Sequence, residues 1–318
     1  MQIFEQIASM RQACRELQQR GKTVGLVPTM GALHDGHLSL VRAARAQCDV
    51  VAVSIFVNPL QFGPKEDLAK YPRDFERDCR MLLAEGVSLL FAPTVEQMYP
   101  PGASTVVHVE GLSDKLDGKL RPGHFHGVTT VVAKLFEIVR PRFAYFGQKD
   151  AAQLAVLRKM VRDLNMDVEL VACPTIREAD GLALSSRNVY LSPEQRKQAL
   201  CLSRALSRVQ TLAAAGEHRP ATLLCATRQI IAAELAAHMD YAEIVDPDTL
   251  DPVHDLQRGA LVAIACTVGA TRLIDNVLLP PMKARHWSKA ARQPATRPGQ
   301  VPGVAAHPDE RRLTRWTQ

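Results

Sequence analysis

Pro28-Thr29-Met30-Gly31-Ala32-Leu33-His34-Asp35-Gly36-His37 lies between a short apolar run at residues 23–27 and a helical pattern at 37–47. A strand, a turn and a helix in that order open a β–α unit. In open α/β sheets ligands bind beyond the carboxyl ends of the strands. A helix N-terminus at that place adds free N–H groups and a partial positive charge, both suited to phosphate. His34 and His37 stand three residues apart and so meet on the first turn, with Gly36 leaving the backbone open between them. Imidazoles so placed can donate hydrogen bonds to phosphate oxygens. The pair also reads as two surface histidines or as part of a metal site. No third ligand stands at a sensible spacing, however, and the His-Glu-x-x-His pattern is absent.

Outward from this stretch, residues 3–20 read as an amphipathic helix and 49–57 as a buried parallel strand. Residues 74–85 read as a helix stopped by Gly86. Further strands are predicted at 88–91, 105–109, 143–146 and 167–171, and helices at 128–139 and 151–164. The alternation predicts an α/β fold, a Rossmann-like parallel sheet with right-handed crossovers. After about residue 176 the pattern changes to two long helices, 193–215 and 221–238, and three short strands at 241–245, 261–265 and 272–274. The expected organisation is a catalytic domain at 1–176, a smaller α+β lid domain at 177–283 and a tail at 284–318.

Composition narrows the function classes. The chain has 318 residues, 47% of them hydrophobic and only 5% aromatic, enough for a large core of the layered α/β kind. Its seven cysteines form no Cys-x-x-Cys pair, which argues against a disulfide framework and a structural zinc site and points to a reducing cytoplasm. The first twenty residues are mixed and charged, unlike a signal peptide. The longest apolar runs are strand-sized, too short to span a bilayer. The net charge of +6 suggests nucleic acid, but its location does not. Lys283, Arg285, Lys289, Arg292, Arg297, Arg311, Arg312 and Arg315, set against Asp309 and Glu310, account for all of it. The rest of the chain is neutral, and nucleic-acid binding rests on clustered basic charge. The tail, rich in Pro, Gly and Ala and holding both Trp287 and Trp316, reads as a disordered extension.

Four further constellations carry candidate chemistry, two of them, at Gly147–Asp150 and Asn58–Gln61, where strands are predicted to end. In Gly147-Gln148-Lys149-Asp150, Lys149 supplies a point charge for a phosphate and Asp150 a ligand for Mg²⁺ or a ribose hydroxyl. The same residues also read as an ordinary strand-to-helix loop with Asp150 as N-cap. Asp180-Gly181-Leu182-Ala183-Leu184-Ser185-Ser186-Arg187-Asn188 offers two hydroxyls and a guanidinium as a clamp over a triphosphate, or is a polar interdomain linker. Asn58 and Gln61 place neutral amides where they can bind a small polar acid, with Gln153 joining them. Met30, Phe56 and Phe62 would exclude water there. Capping of the strand end is the alternative. In Arg121-Pro122-Gly123-His124-Phe125-His126-Gly127, Arg121 and His124 are candidates to meet an anion, and His126 is incidental.

With these residues in hand, the chain closely resembles the pantoate–β-alanine ligase family. The matching stretches are VPTMGALHDGHLSLVRAA (27–44), SIFVNPLQFGPKEDLAKYPRD (54–74), RPGHFHGVTTVVAKLFEIVRP (121–141), FGQKDAAQL (146–154) and READGLALSSRNVYLS (177–192). The resemblance covers residues 1 to about 280. It implies ATP as a substrate with Mg²⁺, a pantoyl-adenylate intermediate, small-molecule rather than nucleic-acid or membrane partners, and a homodimer. It also implies roles. His34, His37, Lys149, Ser185, Ser186 and Arg187 hold the phosphates, with His34, His37, Lys149 and Arg187 the catalytic set. Met30, Gly31, Gly147, Asp150, Ile176 and Leu184 line the nucleotide site. Met30, Asn58, Gln61 and Gln153 bind the acid, Asp150 meets the metal, and Tyr71, Arg121 and His124 support them. The chain departs from the family pattern in Gln148 and Asp117, each where Glu is common, and in Ala151-Ala152 ahead of Gln153.

Overall fold

The computed structural model describes residues 1–64, 66 and 68–281. The expectations for the tail fall outside these residues. The chain runs β1 (Gln2–Phe4), α1 (Ile7–Gln19), β2 (Val24–Thr29), α2 (Asp35–Gln47), β3 (Val50–Ile55), α3 (Phe75–Ala84), β4 (Leu89–Phe91), α4 (Val95–Met98), α5 (Asp117–Leu120), α6 (His124–Val139), β5 (Phe143–Gly147), α7 (Ala151–Asp163), β6 (Glu169–Cys173), α8 (Pro193–Ala199), α9 (Cys201–Ala214), α10 (Pro220–Ala232), β7 (Ala237–Val245), β8 (Ala260–Val268) and β9 (Thr271–Leu279). Six strands form one parallel sheet in the order β1-β4-β3-β2-β5-β6, and β7-β8-β9 form a separate antiparallel sheet. The predicted α/β class with a smaller α+β portion is what the chain adopts.

The sheet is buried on both faces, which is why its central strands are near-continuous apolar runs. One core packs α1, α6 and α7 against one face; the other packs α2 against the opposite face. A third core lies between the antiparallel sheet and α9 and α10. Strands β2, β3 and β4 step outward in one direction. The chain then returns through α6 and sets β5 on the other side of β2, Leu26 pairing with Ala144. The order therefore reverses at β2 and β5, and the crevice beyond Thr29 and Gly147 is the binding position of such folds.

Several expectations are corrected. Residues 105–109 form no strand. The backbone groups of Val107 go instead to two buried threonine hydroxyls on α6: its N–H donates to Thr130 Oγ1 (2.9 Å) and its carbonyl accepts from Thr129 Oγ1 (2.6 Å). The start of the predicted first helix is an edge strand, β1, held by pairing to β4. The helix predicted at 193–215 is two helices broken at Leu200, and the final strands are nine residues long rather than three to five. All seven cysteines are free. Cys14, Cys173, Cys201 and Cys266 are buried, Cys48 and Cys79 half-buried, and Cys225 on α10 is exposed. No helix among the described residues is long and apolar enough to cross a membrane.

Candidate active site

The turn after β2 is wound tightly: Gly31 and Ala32 both have positive φ, +81° and +50°. A buried carboxylate on α3 holds it there. Asp78 Oδ1 accepts the Leu33 N–H at 2.9 Å, and Arg77 Nη1 donates to the Leu33 carbonyl at 3.0 Å. Burial pushes the Asp78 carboxyl above its ordinary range. Sequence reading missed Asp78, because nothing in its helix marks a residue that serves a loop 45 positions away.

That turn delivers His34 to the N-cap of α2. His34 Nδ1 accepts the Gly36 N–H (3.1 Å), and His37 Nδ1 accepts the His34 N–H (3.4 Å), a reciprocal cap. The rings lie 4.1 Å apart. A Cβ on Gly36 would come within 2.8 Å of the His34 ring, so any side chain there displaces it. With both Nδ1 atoms accepting, a neutral ring carries its proton on Nε2. Both rings are held neutral: burial and then the Lys149 ammonium lower His34 to about 4, and burial and then His34 and Lys149 lower His37 to about 3. Two Nε2–H donors therefore line the cavity without the cost of buried charge.

This has a measurable consequence. By ¹⁵N NMR of the ligand-free protein, both imidazoles are expected in the Nε2–H form and neutral from about pH 8 to about pH 5.5, below the ordinary value of about 6.5. A titration of either ring near that ordinary value contradicts the assignment. The unfolded chain takes up these protons near the ordinary value and the folded chain only at the lowered ones. Acidification through that window therefore destabilises the fold.

Lys149 and Asp150 sit in a 3₁₀ turn, Gln148–Asp150, between β5 and α7. Asp150 stands at the N-cap position of α7, but its side chain makes no cap hydrogen bond. Both side chains line the same cavity as the histidines. So do Gly147, at the end of β5, and Ile176, Leu184, Ser185, Ser186 and Arg187, which approach from a hairpin closed by Leu184 N–H on the Ile176 carbonyl (2.9 Å). Ser185 Oγ accepts the Arg187 N–H at 3.3 Å and starts the 3₁₀ turn Ser186–Tyr190.

The other end of the cavity is apolar with amides. Met30, Phe56, Phe62, Val128, Val131, Val132 and Leu135 wall it, and Gln61, Tyr71 and Gln153 line it. Asn58 is buried and its amide is fully committed. Nδ2 donates to Gln61 Oε1 (3.0 Å) and the Gly127 carbonyl (2.9 Å). Oδ1 accepts from Tyr99 Oη (2.9 Å) and Leu60 N–H (3.3 Å). Gln61 Nε2 points at Met30 Sδ, 3.1 Å away. α6 crosses the turn of Gln61 so closely that a Cβ on Gly127 would lie 2.4 Å from the backbone of Leu60 and Gln61.

Arg121 and His124, expected to meet an anion, are engaged otherwise. Arg121 forks onto Glu66 (2.6 and 2.8 Å), and its Nη1 meets His124 Nε2 (3.1 Å) while His124 Nδ1–H donates to the Gln61 carbonyl (2.8 Å). Burial, then the Arg121 charge, lowers His124 to about 4. The pair braces the Gln61 backbone from behind. His126 stacks edge-on against His108. Asp117 is buried, lies 2.8 Å from Arg272 Nη2 and accepts from Tyr241 Oη (3.1 Å). Of the residues singled out in sequence as catalytic or binding, only Gly31 stays off the cavity wall; its part is in the turn beneath.

The pattern of pantoate-beta-alanine ligase matches residues 2–278. The pantothenate synthetase of Koribacter versatilis is 62% identical over 279 residues, covering 88% of this chain and 96% of that protein. The crystal structure of pantothenate synthetase from Thermus thermophilus is 51% identical and superposes with a TM-score of 0.84, covering 88% of this chain and all of that one. A pantoate-beta-alanine ligase from Francisella tularensis, complexed with beta-gamma ATP and beta-alanine, is 32% identical at a TM-score of 0.73, covering 87% and 97%.

Proposed function

This chain belongs to the pantoate–β-alanine ligase family, whose reaction is the ATP-dependent condensation of pantoate with β-alanine to pantothenate, and from that premise we propose how its residues divide the work. A carboxylate does not acylate an amine at neutral pH without a better leaving group than hydroxide. Pantoate's carboxylate attacks the α-phosphorus of ATP, forming the acyl phosphate bond and releasing pyrophosphate. The β-alanine amine then attacks the acyl carbon and AMP leaves. No enzyme nucleophile is needed. The protein positions the reactants and offsets charge.

His34 and His37 donate through Nε2–H to phosphate oxygens, Lys149 neutralises them, and Ser185, Ser186 and Arg187 close from the opposite side. Gly147, Asp150, Ile176 and Leu184 face the ribose and adenine. Met30, Gln61 and Gln153 hold pantoate, and Asn58, Arg121 and His124 hold Gln61. The observation that carries this reading is the Lys149 ammonium: it lines the cavity with His34 and His37 and has no hydrogen bond or ion pair among the described residues. A cation left unpaired beside two neutral donors fits an anionic ligand.

Asp150 likewise lines the cavity without a hydrogen bond or ion pair, while no cluster of three or more metal-ligating side chains exists among the described residues. One carboxylate suits Mg²⁺ carried in on the triphosphate, where it supplies further charge neutralisation. The lid movement of residues 177–283 over 1–176, a cytoplasmic location and a homodimer complete the proposal; sedimentation at twice the chain mass is expected.

The deciding assay omits each substrate in turn. AMP is expected only when ATP, pantoate and β-alanine are all present. Exchange of pyrophosphate into ATP is expected to require pantoate but not β-alanine, and to stop when a chelator is added. Exchange without pantoate would assign the site to another nucleotidyl transfer.

A further inference from the structure

Asp275 and Asn276 are neighbours on β9, both buried, and each reaches a different side of the phosphate site. Asn276 Nδ2 donates to the carbonyls of Gln148 (2.9 Å) and Lys149 (2.8 Å), and its Oδ1 accepts from Gln148 Nε2 (3.2 Å). Asp275 takes both terminal nitrogens of Arg177, at 2.6 and 2.9 Å, and the same guanidinium donates to the Gly181 carbonyl (3.2 Å). Arg177 stands at the base of the hairpin that runs into Ser185-Ser186-Arg187, bridged there to Ala183. Asn188 ties the far end back, donating to Glu178 Oε1 (2.7 Å) and the Ala183 carbonyl (3.1 Å). The Asp275 carboxylate also accepts the Asn276 N–H at 2.8 Å. Neither side chain lines the cavity that holds His34 and Lys149.

We propose that Asp275 and Asn276 are positioning residues for the ligase reaction: Asn276 sets the Lys149 side of the triphosphate site, Asp275 sets the Ser185–Arg187 side, and one strand thereby fixes the span between them. The proposal rests on the ATP-dependent reading above. The Lys149 ammonium ends a flexible stem with no partner of its own, so the placement of its backbone decides where the charge can reach. Gln148 fits the same scheme, since an amide there can donate to Asn276 Oδ1 where a carboxylate cannot.

Double-mutant cycles on the Lys149→Ala and Arg187→Ala backgrounds test this, read as turnover in pantoate-dependent exchange of pyrophosphate into ATP. Asn276→Leu removes both donors at similar volume, and Asp275→Asn keeps the shape and one acceptor for Arg177. Asn276→Leu is expected to lower turnover about tenfold in the otherwise unaltered chain, a loss on the scale of a sub-ångström misplacement, but less than about twofold on a Lys149→Ala background. Asp275→Asn is expected to show the reverse dependence, losing its effect on Arg187→Ala and keeping it on Lys149→Ala. Melting curves set the assay temperature below the transition of every variant, and if Asp275→Asn does not fold the Asn276 cycle decides alone. Equal losses on both backgrounds overturn the proposal, since a general loosening of the fold multiplies with any other defect. So does an Asn276→Leu protein within about twofold of the parent. A parent chain without pantoate-dependent exchange removes the functional reading instead, which separates the two failures.

Discussion

Lys149→Ala is expected to lower turnover in pantoate-dependent pyrophosphate exchange by about 10²-fold or more, and His37→Ala by a similar factor, the scale of losing one preorganised group that meets charge developing in the transition state. For Lys149 the loss should come without loss of stability, because its ammonium holds no partner that its removal would strand. A second signature should accompany it. Lys149 contributes to lowering both imidazoles, so its removal raises the titration of His34 and His37 toward the ordinary value. Steady-state kinetics and ¹⁵N NMR on the same variant give both readings. A change in turnover under about threefold would move the residue out of the catalytic set.

Asn58→Ala is the second large effect, and it has a different character. Four hydrogen bonds converge on one buried amide, from Tyr99, Leu60, Gln61 and Gly127. Truncation leaves buried donors and acceptors unpaired, so a loss of roughly 3 kcal/mol is expected in urea unfolding, from the ~1–3 kcal/mol that each stranded group costs. The surviving folded fraction should bind pantoate more weakly, because Gln61 loses its anchor, with the KM for ATP little changed. Stability within about 0.5 kcal/mol of the parent, the range of an ordinary surface change, would show that Asn58 does not brace the site.

The sequence made the central sheet and most of the site readable because the signals there are local. β3 is an apolar run interrupted only by Ser54, and His34 and His37 sit on one turn beside the glycine that admits them. What escaped reading depends on distant partners. β1 exists because Gln2–Phe4 pairs with Leu89–Phe91, and no pattern within three residues announces that. Residues 105–109 are rich in β-branched side chains like a strand, yet two threonines of α6 satisfy Val107 where a ladder was expected. Arg121 and His124 were visible as candidates, but Glu66 and the Gln61 carbonyl, which absorb them, lie more than fifty residues away. Asp78 and Asn276 were invisible for the same reason: each serves backbone groups of a remote loop, and such service leaves no mark on the residue's own neighbourhood.

The distribution of thiols makes the chain ready for single-site labelling. Four cysteines are buried, two are half-buried, and burial raises the thiols of all six, which suppresses the reactive thiolate. Cys225 alone is exposed, on a helix outside the parallel sheet. One maleimide dye per native molecule should attach there without any cysteine being engineered away, giving a fluorescent reporter for the helical layer over β7–β9 while substrates are added.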